Sequence, residues 1–147
     1  ARIMSLADPT RKMSKSEPTG GCVYLMDQPE VILKSFKRAV TDSDDKVRYD
    51  QGEKPGISNL MTIYSVATGR SYDAIESEFA GKGYGAFKSA VGESVVELFR
   101  PIREEAEQLL KSKDHLVNIY TDGANQAARV ADRTLRKVYK KIGFVAK

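Results

Sequence analysis

The chain has 147 residues, 41% hydrophobic and 30% charged, enough for one ordinary domain with a real core; no apolar run approaches the ~18 residues of a membrane span, and the first residues lack the apolar stretch of a secretory signal. A single cysteine, Cys22, excludes an internal disulfide and fits a reducing cytoplasm, and with one histidine, His115, no Cys/His zinc site can be assembled. The net charge of +4 is uneven: Arg129, Arg133, Arg136, Lys137, Lys140, Lys141 and Lys147 face only Asp132 at one end, Arg2, Arg11, Lys12 and Lys15 face only Asp8 near the other, and the middle is acidic, a distribution suited to anionic partners.

In chain order, the start at Ala1 rather than at a methionine suggests a piece of a longer chain. Arg2–Leu6 alternates weakly, as a short strand does, and Asp8-Pro9-Thr10 is a turn signal. From Arg11 to Gly21 only Met13 is apolar, and Pro18, Gly20 and Gly21 follow closely, which predicts an exposed, flexible loop. Cys22–Met26 is a short apolar stretch that docks the chain back onto a core, with Cys22 packed rather than paired with His115 as a nucleophile. Asp27 with Glu30 reads as a capping box around Pro29, opening a helix on Ile32, Leu33, Phe36 and Val40. Val47-Arg48-Tyr49 extends briefly before Gly52 and Pro55. Ile57, Leu60, Met61 and Tyr64 mark a second helix stopped by Gly69, and Ser71 caps a third carrying Tyr72, Ile75 and Phe79.

Gly81, Gly83 and Gly85 form a sharp connection. A long helix from about Ala86 to Ser112 carries Phe87, Val91, Val95, Leu98, Ile102 and Leu109 as its stripe, with a kink expected at Pro101. Asp114 caps the last segment, which Gly123 interrupts. From Ala127 to Gly143 an apolar stripe (Ala131, Leu135, Val138, Ile142) and a basic stripe (Arg129, Arg133, Arg136, Lys140) are offset by two residues, about 200° around a helix. One face is then expected to pack while the other offers positive charge, either to solvent or to a ligand. Tyr49, Tyr64, Tyr84 and Phe87 are candidates to stack on bases or, more simply, core residues.

The chemistry-bearing segment is Lys12-Met13-Ser14-Lys15-Ser16. It sets two ammonium groups and two hydroxyls on a backbone too polar to bury. Lysine is a mobile point charge with three donors, suited to phosphate oxygens, and serine hydroxyls and backbone N–H groups can complete the cradle. The following glycines allow closure over a ligand. An ordinary basic surface loop, or a kinase substrate segment, has the same composition.

Context separates these readings. Asp8-Pro9-Thr10-Arg11-Lys12-Met13-Ser14-Lys15-Ser16-Glu17-Pro18 resembles the KMSKS signature of class I aminoacyl-tRNA synthetases, with Glu17 where an aspartate is expected. Ala39–Ser43, Arg48-Tyr49-Asp50, Lys54–Leu60, Gly81–Lys88, Arg100-Pro101-Ile102 and Gly123–Ala127 are similar, in order and spacing, to the bacterial tryptophanyl-tRNA synthetase family. The resemblance covers essentially the whole chain. The family's histidine-containing HIGH-type signature has no match here, since the only histidine lies in Asp114-His115-Leu116-Val117.

The resemblance implies a mainly α fold: residues 1–25 as the trailing edge of a Rossmann-like catalytic domain and 26–147 as a helical domain on the anticodon side. Apolar surface is expected around Ile3, Met4 and Leu6. It implies activation of tryptophan with ATP, magnesium travelling with the phosphates, then transfer to the tryptophan tRNA by a cytoplasmic homodimer. Lys12 and Lys15 then stabilise the leaving pyrophosphate. Ile3, Lys12, Met13, Ser14, Lys15 and Ser16 contact ATP, and Arg129, Arg133, Arg136 and Lys140 contact the tRNA backbone. The piece alone is expected to be inactive. The competing readings are a helical RNA-binding or interaction module without catalysis, and a fragment of another class I synthetase such as a tyrosyl enzyme.

Overall fold

The computed structural model describes residues 2–16 and 20–145; Glu17 and Pro18 of the predicted loop and Lys147 of the basic cluster lie outside them. Among the described residues are five helices: α1 (Pro29–Lys37), α2 (Pro55–Thr68), α3 (Tyr72–Phe79), α4 (Gly83–Lys111) and α5 (Lys113–Ile142). The only β-pairing there is an isolated antiparallel bridge between Met4 and Lys12, so the predicted strand at 2–6 is reduced to one rung. The chain is mainly α, as the spacing predicts. It divides into two compact units, Ala1–Arg103 and Glu104–Lys147.

The first unit is built around α2. Gly56, Ile57, Ser58, Asn59, Leu60, Met61, Ile63 and Tyr64 of this helix are all buried. From Gly56 to Tyr64 the helix is covered almost all round, as a core element is, and only its last turn, with Val66, reaches solvent. Ile32 and Phe36 of α1, Ile75 and Phe79 of α3, and Tyr84, Phe87, Val91 and Val95 of α4 complete the core with Leu6, Ala39 and Val47. Tyr64, Phe79 and Phe87 meet edge to face with ring centroids 4.9–5.9 Å apart, and Tyr49 stacks on Tyr72 at 4.1 Å. The candidate base-stacking aromatics are thus committed to internal packing.

The ends of the helices follow local chemistry. α2 stops at Gly69, in the left-handed region at φ 74°, and Ser71 Oγ accepts from the Ala74 N–H at 3.3 Å to cap α3. The predicted capping box at Asp27 does not form. Pro29 starts α1 after Gln28, and the Asp27 carboxylate instead accepts from Tyr24 N at 2.9 Å. Val40, expected on the α1 stripe, lies beyond the helix and is half exposed. Tyr24, Leu25 and Met26 are also exposed, so only the first part of the 22–26 stretch docks, through Val23. Leu6, expected on an exposed apolar surface, is 3% exposed and belongs to the core.

α4 begins at Gly83 and runs through Pro101, where the missing N–H removes one rung of a helix with many others. Its stripe is buried only to Val95; Leu98 and Ile102 are exposed. In the second unit α5 starts after Ser112 rather than on Asp114, which sits in its first turn, and it passes through Gly123 without a break. A single mid-helix glycine costs only about 1 kcal/mol relative to alanine, too little to stop a long helix. No described residue of α5 is buried, so the expectation that Ala131, Leu135, Val138 and Ile142 pack within this chain is corrected: that stripe is uncovered. No helix among the described residues is long and apolar enough to cross a membrane.

Candidate functional site

The loop is held at its root by a miniature hairpin. Ser5 N donates to Arg11 O at 2.8 Å and Met13 N to Ile3 O at 3.1 Å, one on either side of the Met4–Lys12 rung. The turn between these arms is closed by Asp8. Its backbone oxygen accepts from Arg11 N at 3.0 Å, and its carboxylate accepts from Thr10 N at 3.0 Å and Thr10 Oγ1 at 2.6 Å. Those bonds from Thr10 hold the Asp8 carboxyl below its ordinary value. Ser5, fully buried, accepts from Ala7 N and Asp8 N at 3.2 Å each. The opposite edge of the first arm is equally engaged. Met4 is bonded twice by the Asn59 side chain, Leu6 N donates to Gly21 O at 2.9 Å, and Val40 N donates to Leu6 O at 2.8 Å.

Alternation along the extended backbone sorts the loop's side chains. Met13 is half-buried against the core, as is Ile3, while Lys12, Ser14, Lys15 and Ser16 are exposed. Ile3 and Met13 share an apolar hollow of about 220 Å³ with Val23, Phe36, Ile63 and Leu98. Among the described residues neither Lys12 nor Lys15 has a carboxylate partner. Tyr24 OH donates to Lys15 O at 3.1 Å, and Ser16 N donates to Ser14 Oγ at 3.3 Å. Two ammonium groups and two hydroxyls therefore stand in solvent on a root fixed by backbone bonds. That arrangement can meet polyanionic oxygens.

Arg129, Arg133, Arg136 and Lys140 are exposed and recur every three to four residues along one face of α5. The remaining faces of this helix are exposed as well, so exposure alone does not single out the basic one. The loop belongs to the first unit and the basic stripe to the second.

Sequence patterning passes over a buried ionic group that fixes the segment feeding this root. The Lys54 side chain is 4% exposed, and its ammonium lies 3.0 Å from Asp42 Oδ1 and 2.6 Å from Asp44 Oδ2. It also donates to Tyr84 OH at 3.0 Å, and that hydroxyl donates to Asp42 Oδ1 at 2.6 Å. Burial alone would push the Asp42 carboxyl up. Bonds from Tyr84, the Asp44 backbone and Lys54, with the Lys54 charge, outweigh it and hold the group at about 2. Burial likewise disfavours the Lys54 ammonium, yet Asp44, Tyr84 and Asp42 raise its pKa above the usual lysine range. Asp45, at φ 55°, turns its carboxylate to accept from Tyr84 N at 2.6 Å at the start of α4. The signal in the sequence was three aspartates within four positions, Asp42, Asp44 and Asp45, upstream of a lysine that opens an apolar helix.

The family model described as class I tRNA synthetases (W and Y) matches residues 1–100. The tryptophan–tRNA ligase of Wolinella succinogenes is 47% identical over 99% of this chain, which covers 44% of that protein. The tryptophanyl-tRNA synthetase of Mycoplasma pneumoniae is structurally similar, with a TM-score of 0.74 and 34% identity over 98% of this chain and 45% of that one. That of Campylobacter jejuni, in complex with ADP and tryptophan, gives a TM-score of 0.79 at 26% identity, over 98% of this chain and 44% of that one. The chain thus spans less than half the length of the relatives it matches. With its KMSKS hairpin and this match, the chain belongs to the class I tRNA synthetases of the tryptophan and tyrosine group.

Proposed function

We propose that this chain works as the loop-bearing and helical part of a tryptophan–tRNA ligase. The observation that carries the reading is the pair of exposed lysines, Lys12 and Lys15, on a loop whose root is fixed by backbone hydrogen bonds. In the first step a tryptophan carboxylate oxygen attacks the α-phosphorus of ATP. The bond from that phosphorus to the bridging oxygen breaks, and pyrophosphate leaves with the electron pair. Negative charge grows on the leaving group, and Lys12 and Lys15 stabilise it more in the transition state than in the ground state. Met13, Ser14 and Ser16, with Ile3 alongside, line the path of the nucleotide. Magnesium is held by the phosphates and water. In the second step a terminal ribose hydroxyl of the tRNA attacks the tryptophanyl carbonyl, and AMP leaves.

On this reading residues 1–25 belong to the catalytic part and 26–147 to the tRNA-facing part. Arg129, Arg133, Arg136 and Lys140 meet the tRNA backbone, and the complete ligase is a cytoplasmic homodimer. The chain by itself is inactive on this reading, because it spans less than half the length of the ligases it matches. The relatives support tryptophan over tyrosine. The test is tryptophan-dependent pyrophosphate exchange by the complete ligase carrying Lys15→Ala. Loss of a donor aimed at developing charge lowers the rate by about 10²–10³, and a rate within about twofold of the parent refutes the assigned role. Exchange that depends on tyrosine instead would move the substrate to the other branch of the family.

A further inference from the structure

We infer that Asn59 is a positioning residue that fixes the root of the KMSKS loop to α2, and that it acts on the reaction only through the loop. Its amide nitrogen donates to Met4 O at 2.9 Å, and its amide oxygen accepts from Met4 N at 2.8 Å. The geometry of the rung explains why this pair of bonds is needed. Ser5 N and Ile3 O carry the hydrogen bonds on the loop side, so Met4 and Lys12 are a non-hydrogen-bonded pair. The N–H and C=O of Met4 therefore point away from Lys12, toward the helices. A neighbouring strand would normally receive them. Here one carboxamide, chemically a peptide group, takes the strand's place and satisfies both.

Two opposed bonds to one residue fix orientation as well as distance. Asn59 is 6% exposed and lies in the most buried stretch of α2, so the platform behind it is rigid. Its residue type is specific. Aspartate keeps the acceptor for Met4 N but sets a carboxylate oxygen against Met4 O. Leucine keeps the shape and loses both bonds. The route to the chemistry is short: Asn59 holds the Met4 backbone, Met4 pairs with Lys12, and Met13 N bonds Ile3 on the next rung.

This inference rests on the proposed ligase function, and its test separates the two. In the complete ligase, Asn59→Leu is expected to lower kcat for tryptophan-dependent pyrophosphate exchange by about 30- to 100-fold, the scale of a ~1 Å misplacement, with the KM for tryptophan held within about twofold. In Asn59→Leu combined with Lys12→Ala, the losses should fail to multiply, because both act through the same ammonium group. Hydrogen exchange supplies a readout independent of catalysis. The amides of Met13 and Ser5 should exchange at least about tenfold faster in Asn59→Leu, while those of α3 keep the parent rate. If Asn59→Leu fails to fold, Asn59→Asp, which keeps one bond, takes the same measurements with smaller expected changes. Unchanged kcat, fully multiplying losses, or unchanged Met13 exchange would each overturn the role of Asn59. A parent enzyme that performs no amino-acid-dependent exchange would sink the ligase reading instead, and the Met13 and Ser5 amides would still decide whether Asn59 fixes the loop root.

Discussion

Lys54 and Asp42 illustrate how a single residue can govern a site it does not enter. The segment after α1 carries Val40, whose N–H holds Leu6 in the hairpin, and two residues later it carries Asp42. The ammonium of Lys54 ties that segment to α2 while Tyr84 ties it to α4. An isolated buried charge would be expensive, and here it is offset by two carboxylates and a phenol. The linkage has a definite sign. The folded carboxyl of Asp42, at about 2, lies below its ordinary value of 3.8, so its contribution is fully present above pH ~4 and is lost as pH falls toward ~2. Such a shift corresponds to about 2 kcal/mol. Urea unfolding followed from pH 6 to pH 2 should therefore show a steeper acid loss in the parent than in Asp42→Asn, which starts less stable and loses less. Identical slopes in the two proteins would mean that Asp42 is not held by this network. Lys54 adds a contribution of opposite dependence, present at neutral pH and lost only as pH rises beyond the ordinary lysine value.

At the level of elements, the N-terminus of α2 is the place where the hairpin, the 40–46 segment and the helices meet. A Cβ on Gly56 would lie 2.2 Å from Val40 O and 3.1 Å from Thr41 Cα, both backbone atoms that cannot turn aside as a side chain can. Gly56→Ala must then displace the strand-like segment that binds Leu6, at a cost of about 1–3 kcal/mol for overpacking. A fall of several degrees in unfolding temperature, with faster amide exchange at Val40, is the expected result; an unchanged Val40 would show that the strain relaxes elsewhere. Gly92 brings α4 close to α1 in the same way, with Leu33 Cδ2 3.1 Å from where its Cβ would stand. These close approaches explain what could and could not be read in advance. The apolar periods of Ile57–Tyr64 and Phe87–Val95, the stop at Gly69 and the cap at Ser71 follow from local chemistry, and the helices form where those signals lie. The exposed lysines of the loop were equally legible, because a stretch without apolar residues has nowhere to be buried. Asn59, inside the apolar helix, and Lys54, at its N-cap, were harder to read, since pairing is settled only when Met4 and Asp42 are brought to them across 55 and 12 positions. Gly123 misled for the converse reason: it is a real local penalty, outweighed by the length of the helix around it.

For the molecule as a whole, charge says more than shape. The net charge is +4, yet the terminal segment from Arg129 onward is strongly basic, and on α5 that charge is concentrated on a face presenting Arg129, Arg133, Arg136 and Lys140. None of these four has a carboxylate partner among the described residues, so their field is not neutralised locally. The same helix leaves Leu135, Val138 and Ile142 about half exposed. Apolar burial within the chain therefore does not account for a helix of this length, and a polyanion along its basic face is the partner its charge favours. Binding to phosphates releases counterions, so an interface of this kind has a signature that a solvated face lacks. Binding of tryptophan tRNA to the complete ligase should weaken steeply with salt, with a log–log slope near −0.9 for each duplex phosphate engaged. Arg133→Glu combined with Lys140→Glu should lower affinity at low salt by about tenfold or more and flatten the slope by roughly one for each phosphate that the variant no longer engages. Adenylate formation, which does not use the α5 stripe on this reading, should keep its parent rate in the same variant. Undiminished affinity at low salt would assign the stripe to solvent.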